Sequence, residues 1–149
     1  KSRAWGGVSR DLLPHLLSWV QVFDPEWISL GLYSASKHQH YTLDTVGSTD
    51  YGVVDPGGVY DVDDTAELML NNEWHMYTCT TSWKNPVDDK INIEFYKQGD
   101  LVHTEPLGLC PEDAYEKMVD TAIDNLYNDR YWSEQFARDT WIHKQLELF

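Results

Sequence analysis

The stretch GGVYDVDDTAEL, Gly57 to Leu68, sets two apolar residues ahead of Asp61, Asp63 and Thr65. At that spacing Asp61, Asp63 and Thr65 look like an active site. The same residues also read without chemistry. Asp61 and Asp63 are then exposed strand-end carboxylates, and Asp64 caps a helical segment running to Leu70, with Glu67 three residues on in capping-box register. The choice decides the fold, because it decides what the residues on either side must build.

Upstream, "DPGG" at residues 55–58 is a strong turn signal between the short β segments "YGVV" and "VYDV". From Trp27 to Ser34, Ile28, Leu30 and Leu32 alternate as in a strand. "SASKHQH", residues 34–40, reads as a turn, and Tyr41 to Val46 as the hairpin partner. Before them, Asp11 can cap a helix running to Phe23, with Pro14 tolerated in its first turn. Leu12, Leu13, Leu16, Leu17, Val20 and Phe23 form its apolar face, and "DPEW" breaks the pattern.

Downstream, Trp74 to Trp83 is rich in aromatics and Thr, and Ile91, Ile93 and Phe95 alternate with polar residues. "KQGD" then turns into Leu101 to Leu107, giving an antiparallel meander of three strands. From Pro111 the period changes. Tyr115, Met118, Val119, Ala122, Ile123 and Leu126 share one helical face, with acidic residues in the first turn. "YNDR" interrupts, and a second helix from Ser133 to about Leu148 carries Phe136, Trp141, Ile142 and Leu146. The expectation is a single α+β domain over residues 1–149. Its antiparallel β-sheet of hairpins and meander is covered by an N-terminal helix and two C-terminal helices.

The Asp61, Asp63, Thr65 spacing resembles the first motif of the haloacid-dehalogenase-like superfamily over about five residues. That resemblance implies a Mg²⁺-dependent phosphohydrolase with Asp61 as nucleophile, Asp63 as acid/base and both as metal ligands, the cation offsetting repulsion between phosphate and carboxylates. It also implies a parallel sheet with helical crossovers and a motif near the N-terminus. Here some sixty residues that read as antiparallel hairpins precede it. Thr80, Thr81 or Ser82, then Lys84, then Asp88 and Asp89 follow in the order of the later motifs, in too few residues for separate parallel strands.

The 149 residues suffice for one domain with its own core. Formal net charge is −14, from 25 acidic and 11 basic residues, and Asp outnumbers Glu sixteen to nine. That balance disfavours gripping phosphate backbones or anionic membranes and favours basic protein partners, cations or a salty environment. Cys79 and Cys110 lack metal-like spacing, and one bridge between them is an open alternative to two thiols. No apolar run approaches the length of a membrane span. The sequence opens on Lys1, so an upstream segment is expected, and no signal peptide is visible.

The remaining chemical candidates are sparse. His38 and His40 share one side of an extended segment and are the second candidate metal pair, with Glu73, His75 and Cys79 alternating nearby. Cys110 and His103 are an unsupported nucleophile and base pair. No cofactor is expected. Between Lys37 and Lys84 there is no Lys or Arg, while Asp44, Asp50, Asp55, Asp61, Asp63, Asp64, Glu67 and Glu73 fall in that interval. Seven Trp and nine Tyr are many for the length, and such residues favour interfaces. The reading is a non-catalytic acidic subunit of a larger assembly, cellular or viral, binding protein partners through Asp55, Asp61, Asp63, Asp64, Glu67, Trp74, Trp83, Trp132 and Trp141, as a homo- or hetero-oligomer. A nucleic-acid mimic or immunity-type inhibitor is the second reading and the phosphohydrolase the third.

Overall fold

The computed structural model describes residues 7–40, 62–83, 92–106 and 112–148. The expected hairpin partner Tyr41–Val46, the "DPGG" turn, Asp55, Asp61, Cys110 and Pro111 lie outside them. The described chain is α+β, with four α-helices and two antiparallel sheets, and it gathers into two compact units. Unit 1 comprises residues 1–84 and 134–149, and unit 2 comprises residues 85–133.

Unit 1 opens with α1, Gly7–Asp11, and α2, Leu13–Phe23. Asp11 ends α1 rather than capping α2. The cap position of α2 falls on Leu12, whose N–H donates to the Val8 carbonyl, so the chain passes from one helix to the next almost without pause. The expected spacing does put Leu13, Leu17 and Val20 in the core, whereas Phe23 stacks on Trp19 near the surface. Asp24 stops the helix. Its side chain accepts from the Glu26 N–H across Pro25, an Asx turn, and a 3₁₀ turn over Trp27–Ser29 follows. Ile28 therefore lies in a helical turn, exposed, and the first strand begins later than the alternation of Ile28, Leu30 and Leu32 suggested. β1 spans Gly31–His38, so most of "SASKHQH" is strand rather than turn.

The decisive correction concerns residues 64–70, which are not helical. Thr65–Asn71 is β2, the central strand of a three-stranded sheet ordered β1-β2-β3, with β3 spanning Met76–Ser82. Ala, Glu, Leu and Met are good helix formers. Even so, Ala66, Leu68 and Leu70 fall on every second position and are fully buried, while Thr65, Glu67 and Met69 are only half-buried. Burial on one sheet face outweighs propensities of a few tenths of a kcal/mol per residue. β2 runs antiparallel to both neighbours, with Leu68 opposite Ala35 and Cys79. The β2–β3 turn is held by Asn72, whose Oδ1 accepts the Trp74 and His75 N–H groups at 2.9 and 2.7 Å. β3 is thus the last strand of this sheet, not the first of the expected downstream meander.

The core joins α1, α2, β2 and β3 to the C-terminal helix α4, Asp129–Glu147. α4 belongs by its first turn to unit 2 and otherwise to unit 1. Trp141 and Leu146 are buried, and the Trp141 ring meets Trp27 edge-on at 5.5 Å. Buried Gln21 donates to the Arg138 carbonyl at 3.0 Å, fixing α2 to α4.

Unit 2 contains the hairpin of β4, Asn92–Lys97, and β5, Asp100–Pro106, and the helix α3, Ala114–Asp124. The "KQGD" turn is as expected. Gln98 and Gly99 have φ of 55° and 90°, the left-handed pair of a two-residue type I′ hairpin turn. "YNDR" does interrupt the helices: α3 stops at Asp124 and α4 starts at Asp129. Asn128 caps α4 through its Oδ1, which accepts the Tyr131 N–H.

Candidate functional site

Three places could carry function. The first is the aspartate run. The Asp63 carboxylate accepts the Ser9 N–H at 2.8 Å, and its carbonyl accepts the Val8 N–H at 2.9 Å. It therefore caps α1 from far along the chain, a favourable place for a negative charge. Gly7, with φ of 63°, packs so closely that a Cβ there would lie 2.5 Å from Asp63 Oδ1. Asp64 is fully buried. It accepts the His40 N–H at 2.6 Å and the Thr65 hydroxyl at 3.2 Å, and its backbone bonds His38 on one side and Trp83 on the other. Thr65 also bonds the Ser82 hydroxyl at 3.0 Å. Neither aspartate caps a helix that follows it, and the sheet beside them is antiparallel, not the parallel sheet that the resemblance implies. The partner Asp61 lies outside the described residues.

The second place is built on Asp24, which is 1% exposed. Its Oδ2 meets His75 Nδ1 at 3.0 Å, and burial followed by the neighbouring Asp24 charge and a hydrogen bond to it pushes the Tyr77 phenol up to about 12. An ionised carboxylate only accepts, so in this contact the proton sits on His75 Nδ1, and the His75 side chain is about half exposed. Cys79, two positions further along β3, is a free buried thiol pushed up to about 12 by burial, which makes it a core residue rather than a nucleophile. His38 and His40 do sit side by side, with ring centroids 5.8 Å apart. Among the described residues no three His, Cys, Asp or Glu side chains converge as a metal cage. His103 bonds Glu105 at 3.1 Å. The Asp24 network ties the β2–β3 hairpin to the end of α2. Nothing local in the sequence signals it, because its members are 51 positions apart.

The third place is the apolar surface of unit 2. No residue of α3 is buried. Tyr115, Met118, Val119, Ile123 and Leu126 are each more than half exposed, on the single face the sequence assigned them. The β4–β5 hairpin adds exposed Phe95, Tyr96, Leu101 and Val102. The next arc of α3 holds Glu116, Asp120 and Asp124, all exposed, one helical turn apart and so in a row. None of the three has an ion-pair partner among the described residues. The only cation of the helix, Lys117, is engaged with Asp113 at 2.7 Å.

The other expected contact residues divide. Trp74, Trp83 and Trp132 are exposed, whereas Trp141 is 6% exposed and belongs to the core. The Trp132 indole N–H donates to the Asn125 carbonyl at 2.8 Å, which steadies the corner before α4. Glu67 is half-buried and accepts from Thr80, and Glu73 is exposed at the β2–β3 turn. No helix among the described residues is long and apolar enough to cross a membrane. Comparison with protein-family models, with curated proteins and with solved structures finds no match.

Proposed function

We propose that this chain works by protein–protein contact, as an acidic, non-catalytic component of a larger assembly, and that unit 2 supplies the contact surface. One observation carries the reading: among the described residues, every buried apolar side chain belongs to unit 1, while unit 2 carries a regular apolar helix face in water. Soluble monomers rarely keep large contiguous apolar patches exposed, and such patches mark interaction surfaces. Covering three or four of these side chains is worth roughly 5 kcal/mol, a useful share of the free energy of a specific complex. The alternative, a nucleic-acid mimic or immunity-type inhibitor, would use the acidic row and leave the apolar arc beside it without a role. The contact reading uses both.

The test is the state of the protein in its native source. Sedimentation and native mass spectrometry are expected to find it in a complex that the double substitution Met118→Asp, Ile123→Asp disperses. A monomer in the source, or a complex indifferent to the substitution, would sink the proposal.

A further inference from the structure

We infer that the α3 surface receives a basic amphipathic helix of a partner protein, its apolar side chains seated on Tyr115, Met118, Val119 and Ile123 and its Lys or Arg residues along the row Glu116, Asp120, Asp124. The inference rests on the contact reading of unit 2 and names the chemistry of the occupant.

The argument is charge complementarity beside an apolar stripe. Like charges four residues apart destabilise a helix, and α3 carries two such pairs in succession, Glu116 with Asp120 and Asp120 with Asp124. Lys117, engaged with Asp113 at the start of the helix, does not answer them. A cationic border on the partner relieves both repulsions while its apolar face covers the stripe. The regular spacing of the stripe matches an apolar helix seam, the form in which amphipathic segments lie against one another. A second copy of this chain fits poorly. Antiparallel pairing of two α3 helices sets one acidic row against the other, and each chain brings a net charge of −14. An anionic membrane is repelled by the same row.

The experiment uses the full chain and two synthetic peptides with Leu at i, i+3, i+4 and i+7, one bordered by Lys and Arg, the other by Glu at the same positions. Binding is followed by fluorescence anisotropy at low and high salt. The basic-bordered peptide is expected to bind and to weaken with salt, and the acidic-bordered peptide to leave the anisotropy unchanged. The triple variant Glu116→Gln, Asp120→Asn, Asp124→Asn is expected to weaken binding about tenfold. Val119→Asp is expected to abolish it. All four positions are exposed, so each variant should keep the parent circular dichroism. Equal binding of the two peptides, equal affinity of the triple variant and the parent, or no binding of the basic-bordered peptide overturns the inference. If Val119→Asp releases the peptide while the triple variant does not, the contact reading survives and the basic occupant falls. If neither variant alters binding, both fall.

Discussion

In unit 1 the apolar positions of α2 and β2 close on one another, so that Leu13, Leu17, Leu68 and Leu70 are out of reach of water. In unit 2 α3 carries apolar positions in equally regular spacing and leaves them at the surface, as the hairpin leaves Phe95, Tyr96, Leu101 and Val102. The two regions draw on the same kinds of residue. They differ in whether a second element arrives to cover the first. Periodicity specifies which face of an element is apolar, while the cover comes from elsewhere in the chain or from another molecule. Among the described residues, unit 1 carries the buried apolar core and unit 2 leaves its apolar helix face exposed.

The contrast can be broken most directly in the core. Leu68→Ala should cost about 2–5 kcal/mol of unfolding free energy in urea titrations, since it opens a cavity under the central strand. A cost below about 1 kcal/mol would mean that the core is not where the buried residues put it. Next in size is an alkaline loss. Folded, Cys79 keeps its proton up to about pH 12, while the unfolded chain ionises near 9. The unfolded state therefore sheds its proton first. The contribution is whole below pH 9 and is lost as pH rises toward 12, at about 1.4 kcal/mol per unit. Between about pH 9 and 11, roughly 2–3 kcal/mol should disappear, and Cys79→Val should flatten that part of the profile. A parallel profile in the variant would contradict the burial of the thiol.

Gly7→Ala should follow at about 2 kcal/mol, from a left-handed backbone made to carry a Cβ and from the displaced Asp63 cap. Thermal unfolding with and without Asp63→Ala separates the two causes, because the penalty should shrink once the carboxylate is gone. At the small end, Ile123→Ser on α3 should change stability by less than about 0.5 kcal/mol. A loss of core size there would show that the face is already covered within the chain.

How far the sequence alone leads depends on the range of the interactions involved. The Gln98–Gly99 hairpin, the break before α4 and the apolar faces of α2 and α3 rest on neighbours within one or two turns, and they read correctly from residue order. β2 did not, because Ala, Glu, Leu and Met favour a helix locally and only the pairing with β1 and β3 makes Thr65–Asn71 a strand. The alternation of Ala66, Leu68 and Leu70 was the available signal, and the apparent capping box of Asp64 and Glu67 masked it. The pairing of Asp24 with His75, and of Asp63 with the first turn of α1, joins positions more than fifty residues apart. No pattern in a single sequence marks such pairs. On α3, residue order gives the face, but whether water or protein lies over it is a property of the folded molecule.

The order of the two units along the chain bears on biosynthesis. Trp141 and Leu146 complete the core of unit 1, yet both follow unit 2 in the sequence. Once residues up to 128 have left the ribosome, the described strands of the larger sheet and the apolar surface of unit 2 are in solution, while α4, which supplies Trp141 and Leu146 to the core, is not yet in place. The core of unit 1 therefore lacks two of its members until α4 emerges, and a nascent chain arrested before α4 is expected to be a chaperone client rather than a folded intermediate.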